Sequence, residues 1–239
     1  MNMEARIRGI GMTSVRTRKR LVARLREQGI YNEDVLNAFI EMPRHMFVDE
    51  AMESRAYEDC SLPIGEGQTI SQPYIVALMT QLLLESRAVD KDSAPAKVLE
   101  IGSGSGFQAA VLSMFVDKVY TVERVRTLAH RCSRKFAQMG IRNVSSRYTD
   151  GFDGWVAEAP FDAIMVTAAM SQVPRELIDQ LRPGGVLIGP IGCRSDSPRA
   201  DSTHAGSQQL SVIRLRDDGR LQTQQIAPVF FVPFLAGLC

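Results

Sequence analysis

Apolar residues recur along the chain with two different periods. Near the start the spacing is helical: Leu21 and Leu25 over about 17–30, then Val35, Leu36, Phe39 and Ile40 over about 32–42. Asn32 stands where it can cap the second helix, and Pro43 where it ends it. From Lys97 onward, short apolar runs alternate with helical segments. The pattern predicts strand 97–101, a helix over about 107–116, strand 118–123, and a helix over about 125–139 ended by Gly140. Strands at about 143–148 and 161–167, a helix over about 173–182, and strand 186–191 after Pro183-Gly184-Gly185 follow. Such alternation implies a parallel sheet covered on both faces, and such sheets bind ligands beyond the carboxyl ends of their strands. Beyond it, LSVIRLRDDGRLQTQQI predicts two strands turning at Asp218-Gly219. The apolar tail VFFVPFL predicts a last sheet strand.

Three segments break the pattern. Residues 87–96 read as a polar linker and 192–208 as a flexible surface loop. Residues 56–73, AYEDCSLPIGEGQTISQP, show little periodicity and read as an ordered loop, of a length that usually binds something. Leu62, Ile64 and Ile70 argue against disorder there. Pro73 takes the first position of a helix over IVALMTQLLL, which puts Ser71 at or just before the cap. Its hydroxyl either caps that helix or donates to a bound carboxylate. The residues alone leave both open.

The stretch KVLEIGSGSG (97–106) sets an apolar strand before three glycines at alternate positions, with a helix directly after. Such a turn needs glycine where φ is positive and where a ligand approaches the main chain. A dinucleotide turn requires G-x-G-x-x-G, but Phe107 stands where its third glycine belongs. The pattern is instead E-x-G-x-G-x-G. Glu100 before it suits a ligand with a cationic amino-acid end, such as S-adenosylmethionine (AdoMet). Two further acids fall at strand ends: Glu123, able to accept from ribose hydroxyls, and Asp150 of Asp150-Gly151, able to accept from an exocyclic amine. With Glu100 and the turn they outline an adenosine site. Asp162, opening an apolar strand, reads as structural.

Composition narrows the alternatives. The 239 residues are 45% hydrophobic with a net charge of +1, which suits one compact domain and gives no global electrostatic case for nucleic acid or membrane. The Arg-rich start reads as a solvated helix face with a frayed end. Cys60, Cys132, Cys193 and Cys239 are scattered, and with three histidines they form no metal-ligand spacing, so no metal is expected and a reducing, cytoplasmic setting is the simplest reading. His45 reads as structural.

The motifs together resemble the protein-L-isoaspartate (D-aspartate) O-methyltransferase family. The resemblance runs from about Thr17 to Leu235, on MPRHMFV, AYEDCSLPIGEGQTISQPYIVALM, VLEIGSGSGFQAAVL, VYTVERV, TDGFDGW, APFDAIMVTAA and VFFVPFL. GQTISQP is its most specific element, since the glycine turn alone indicates only a methyltransferase. The resemblance implies a Rossmann-like AdoMet-dependent methyltransferase fold of the α/β class. This is a doubly wound, mostly parallel sheet with a C-terminal antiparallel hairpin and N-terminal helical additions. It divides as a basic extension (1–16), helices and substrate loop (17–96), AdoMet-binding core (97–191) and variable loop with last strands (192–239). It implies methyl esterification of the free α-carboxyl of L-isoaspartyl residues in damaged proteins and peptides. Residue by residue, Ser71 matches the active-site serine, with Thr69 and Ile70 beside it in the substrate loop. Glu100, Gly102, Ser103 and Gly104 match the AdoMet turn, Glu123 the ribose-binding acid, and Asp150 and Gly151 the adenine-side pair. Ser103, Phe107 and Thr149 stand where the family often has Thr, Tyr and Gly. A monomer acting without nucleic acid or membrane is expected. The runner-up is a carboxyl methyltransferase acting on another aspartate or a small carboxylate.

Overall fold

A computed structural model describes residues 3–86, 97–192 and 208–239. Three N-terminal helices, α1 (Met3–Arg8), α2 (Val15–Glu27) and α3 (Glu33–Glu41), precede the sheet. Leu21, Leu25, Leu36 and Phe39 are the buried stripes of α2 and α3. Asn32 caps α3, its side chain accepting from Asp34 N and Val35 N, an interaction worth about 1 kcal/mol. One basic residue departs from the solvated face expected of the start. Arg18 is buried, and its guanidinium donates to the carbonyls of Ile40, Ile7 and Arg8. It ties α1 and α3 to α2, because the last carbonyls of a helix have no intrahelical partner and a buried cation needs acceptors.

Residues 56–73 are more regular than expected. They contain a two-stranded antiparallel ribbon, β1 (Leu62–Gly65) and β2 (Gln68–Ile70), with Leu62 paired to Ile70. Leu62 and Ile64 alternate inward with exposed Pro63 and Gly65, the period of a half-buried strand. Helix α4 (Pro73–Ser86) then starts at the proline, as its missing N–H allows.

The central sheet is built from β3 (Lys97–Ile101), β4 (Lys118–Glu123), β5 (Val144–Tyr148), β6 (Phe161–Val166), β7 (Leu181–Ile191), β8 (Gln208–Leu215) and β9 (Leu221–Val229), with α5 (Phe107–Leu112), α6 (Arg126–Gln138) and α7 (Arg175–Ile178) between strands. Its order is β5-β4-β3-β6-β7-β8-β9. The first five of these are parallel, and β8 and β9 are antiparallel additions. The strand order reverses at β3, so a crevice opens beyond its carboxyl end, between β3 and β6. Apolar residues of β3 alternate between two cores, Val98 facing one and Leu99 and Ile101 the other. The N-terminal helices share the first core with α4 and α5, and Phe39 and Phe47 meet Phe107 edge-on at 5.8 and 5.5 Å.

Three sequence expectations need correction. Helix α5 stops at Leu112 rather than near 116, and Asn143 Nδ2 donates to the freed carbonyls of Ser113 and Val116 at 2.8 and 3.0 Å. The helix expected over 173–182 shrinks to Arg175–Ile178, because β7 begins at Leu181 and absorbs Pro183-Gly184-Gly185 in an irregularity of its pairing with β6. The tail is not a full sheet strand. β9 ends at Val229, and Val232–Phe234 instead clasps Ala169, whose N–H reaches Val232 O at 2.8 Å while Phe234 N reaches Ala169 O at 2.8 Å. Pro233 between them has no N–H for a ladder. The linker 87–96 and most of the loop 192–208 lie outside the described residues.

Candidate active site

Beyond the carboxyl end of β3 lies a cavity of about 320 Å³, within the rough 300–1,000 Å³ range of small-molecule sites. Gly102, Ser103, Gly104 and Ser105 of the turn form its floor. Gly102, Gly104 and Gly106 have φ of +94°, +51° and +86°, a region costly for residues with a Cβ. At Gly102 the space is also missing: a Cβ would come 2.5 Å from Thr167 Oγ1, which donates to the carbonyls of Ile101 and Gly102. The main chain of the turn therefore lies bare to whatever fills the cavity.

Two carboxyls flank the turn. Glu123, at the end of β4, accepts from Gly104 N and Val125 N, each at 2.9 Å, so it holds the turn's shape while facing the cavity. Glu100 shares the face of Val98 and is fully buried. Its register partner on β4 is Thr121, whose hydroxyl donates to Glu100 Oε2 and meets Ser103 Oγ at 2.7 Å. Among the described residues, none meets the buried Glu100 Oε1 in a hydrogen bond. Burial pushes the Glu100 carboxyl up to about 8, the Thr121 hydrogen bond opposing and the nearby Glu123 charge adding to the rise. Two acids, one of them missing a donor, make a site suited to a cationic ligand bearing N–H groups. The ammonium of AdoMet meets that requirement, and its sulfonium adds a second positive charge.

The hairpin β1–β2 and the segment after it form the opposite wall, through Gly67, Gln68, Thr69, Ile70 and Ser71. Ser71 does not cap α4. Asp59 does: its Oδ1 accepts from Tyr74 N at 2.9 Å, and its Oδ2 from the side-chain amides of Gln72 and Gln28 at 3.0 and 2.9 Å. Among the described residues, none holds the Ser71 hydroxyl in a hydrogen bond, and Ser71 faces the cavity. The tail closes a third side with Val232–Leu235.

Thr69, Ile70, Ser71, Glu100, Gly102, Ser103, Gly104, Glu123 and Gly151 thus surround one cavity. Asp150 stands apart from it. Its carboxylate accepts from Phe152 N at 2.9 Å and from Gly237 N, fastening the tail, while the neighbouring Gly151 reaches the cavity beneath Phe234. A Cβ on Gly151 would come 2.7 Å from Ile101 and Phe234. His45 lies outside the site, bonded to Tyr57 Oη and Arg6 O at 2.8 and 2.7 Å, and burial lowers its pKa. Burial likewise holds the Cys132 thiol well above its ordinary pKa, so it is no nucleophile. Asp162 accepts from Lys97 N at 2.9 Å and pairs with Arg182. Among the described residues, no group of three or more His, Cys, Asp or Glu is placed to hold a metal ion.

The family model described as protein-L-isoaspartate(D-aspartate) O-methyltransferase matches residues 16–238. The chain belongs to this family. It is 49% identical over 236 residues to protein-L-isoaspartate O-methyltransferase 1 of Marinobacter nauticus, covering 99% of each chain. It is 50% identical over 229 residues to the Halorhodospira halophila protein-L-isoaspartate O-methyltransferase, covering 96% of each. A solved protein-L-isoaspartate O-methyltransferase aligns with TM-score 0.77 and 29% identity, over 92% of this chain and 67% of the other. A Plasmodium falciparum chain described as a beta-aspartate methyltransferase (PCMT) in complex with S-adenosyl-L-homocysteine shares the fold, with TM-score 0.74 and 24% identity over 91% of this chain and 98% of the other.

Several functional neighbours in this isoaspartate methyltransferase carry no sequence signal of their own. Asp59 acts fifteen residues from Tyr74, and Thr121 is one of several polar residues on β4. Thr167 could have been suspected, since a polar residue ends the apolar β6 beside the crevice. Phe234 stacks on Phe152 at 4.3 Å, and only the fold brings the tail there.

Proposed function

We propose that this protein transfers the methyl group of AdoMet to the free α-carboxylate of L-isoaspartyl residues in damaged proteins and peptides. The following main-chain amide nitrogen then attacks the ester and expels methanol to close a succinimide, which water reopens in part to normal aspartate. The observation that carries this reading is the placement of Ser71: it faces the same cavity as the acid-flanked glycine turn, and Asp59 frees its hydroxyl from capping. Glu100, Ser103 and the turn amides hold the amino-acid end of the cofactor, Glu123 its ribose, and Gly151 gives room for its base. When bound, AdoMet supplies a methyl group activated on a sulfonium and a neutral thioether as leaving group.

The chain's own task is alignment. A carboxylate is ionised at neutral pH, so no general base is required, in keeping with the position of His45 in a separate buried cluster. Ser71 donates to the substrate carboxylate and fixes which oxygen faces the cofactor side of the cavity. Thr69 and Ile70 shape the substrate end, and Val76 and Phe107 supply an apolar wall that excludes water. Holding reactants in line accounts for the larger part of such catalysis. Ser71→Ala is expected to lower kcat by about tenfold to a hundredfold, the scale of one lost hydrogen bond to a charged group. AdoMet affinity by calorimetry should stay unchanged. Full retained activity would remove Ser71 from this role.

The substrates we assign are proteins and peptides, with no nucleic-acid or lipid partner, and we assign the enzyme to the cytoplasm as a monomer. Cys60, Cys132 and Cys239 are all free thiols, which suits a reducing compartment. Among the described residues no helix is long and apolar enough to cross a membrane.

A further inference from the structure

The hairpin that carries the substrate side of the cavity is anchored at its base and unsupported at its tip. Leu62, Ile64 and Ile70 are buried in the main core. Between the strands, Gly65, Glu66 and Gly67 all have positive φ, of +88°, +54° and +67°. Glu66 is the one non-glycine residue with positive φ among those described, and such a conformation persists where surrounding contacts enforce it. Packing does not enforce it here: all three residues are exposed, and a Cβ on Gly67 would meet nothing within 4 Å.

Helix α6 of the cofactor half supplies the missing contacts. Thr127 Oγ1 donates to Glu66 Oε1 at 2.8 Å. Arg131, one turn further on, donates to Ile64 O at 2.9 Å and to Asp49 Oδ1 at 2.5 Å. Thr127 and Arg131 are four apart and so share one face of the helix. The hairpin these bonds hold is a partition. Gly67 and Gln68 face the cofactor cavity, while Ile64, Arg131 and Asp49 line a second cavity of about 320 Å³ behind it. Gly104 of the cofactor turn borders both, and a Cβ there would lie 3.5 Å from Ile64 Cδ1.

We propose that Thr127 and Arg131 are positioning residues for methyl transfer: they latch the hairpin tip to α6 and so set Thr69, Ile70 and Ser71 against the cofactor turn. Neither lines the cofactor cavity. The latch joins the two halves of the site at the point where Ile64 rests over Gly104, so a loosened tip misplaces the substrate carboxylate while leaving the cofactor's own contacts in place. This inference rests on the proposed isoaspartyl reading for its kinetic consequence, and on the fold alone for its dynamic one.

The test uses Thr127→Val, which keeps the shape of an exposed side chain and removes its donor, with Thr127→Ser as the variant that restores the donor and Arg131→Gln as the second latch. In the ligand-free protein, hydrogen exchange over residues 62–70 should quicken in Thr127→Val and Arg131→Gln and return to the wild-type rate in Thr127→Ser. With an isoaspartyl peptide, kcat/KM should fall about fivefold in Thr127→Val, less than the loss of a buried hydrogen bond to a charged group because Thr127 and Glu66 are both exposed and neither meets the reactants. The fall should be about tenfold in Arg131→Gln, which loses two. The AdoMet Kd should stay within about threefold in both, since uniform loss of binding is the signature of a different defect. Unchanged exchange over 62–70, a Thr127→Ser variant as impaired as Thr127→Val, or loss of AdoMet affinity equal to the loss of kcat/KM would each overturn the latch. Wild-type transfer to the peptide reports separately on the functional reading, because the exchange measurement needs no turnover.

Discussion

Burial of Glu100 beside Val98, between strands that supply a single hydroxyl donor, makes its carboxyl the most pH-sensitive group in the site. Its folded pKa is raised from 4.5 to about 8. Below the lower value both folded and unfolded chains hold the proton, and the burial costs nothing extra. Between the two values the unfolded chain releases the proton and the folded chain keeps it, so stability falls as pH rises, by about 1.4 kcal/mol per pH unit for this group. Above about pH 8 the slope from Glu100 vanishes. Glu100→Gln removes this contribution. Urea midpoints of the ligand-free variant measured across the window should therefore decline less steeply with pH than those of the wild type. Parallel declines would show that Glu100 ionises freely in the folded protein. The acid before the glycines was legible in the sequence. Its neutral state was not, because it depends on complete burial by residues from other elements and on the lack, among the described residues, of a donor for Oε1.

Among the elements, α4 and the segment leading into it decide how Ser71 is presented. Asp59 joins Tyr74 N, Gln72 and Gln28, and so holds the entry to the helix from outside the helix. Asp59→Ala is expected to cost about 1–2 kcal/mol, the range for a lost helix cap. It should also lower kcat/KM for the peptide, since the freed Tyr74 N–H competes for the Ser71 hydroxyl. Asp59→Asn, which keeps one acceptor oxygen, should fall between. Thermal unfolding and peptide kinetics on the same samples check both effects, and an Asp59→Ala protein as stable and active as wild type would contradict the assignment. Pro73 marked the helix start correctly in the sequence, and the capping alternative for Ser71 was removed only by Asp59, a residue with no periodic or motif signal. The hairpin at 62–70 was legible in principle. Leu62, Ile64 and Ile70 alternate, and Gly65-Glu66-Gly67 is a turn, but strands of four and three residues are too short for periodicity to outweigh the prolines and glycines around them.

At the scale of the molecule, the site exists because the strand order reverses at β3. Alternating strands and helices were enough to predict that crevice, and of the three acids expected at strand ends Glu100 and Glu123 line it while Asp150 does not. The side closed by the tail was misjudged. An apolar tail reads as a strand, yet Pro233 and the clasp on Ala169 turn it across the opening, where Phe234 packs over Gly151 and Asp150 fastens Gly237. Six separated stretches therefore meet around the cavity, and the chemistry that follows is set by what the hairpin side admits. The most direct measurement is transfer of a labelled methyl group from AdoMet to a synthetic isoaspartyl peptide and to its normal aspartyl twin. Label in the isoaspartyl peptide alone, released as a base-labile ester, is the predicted result. Equal labelling of the two peptides, or labelling of neither by protein that binds AdoMet, would contradict it.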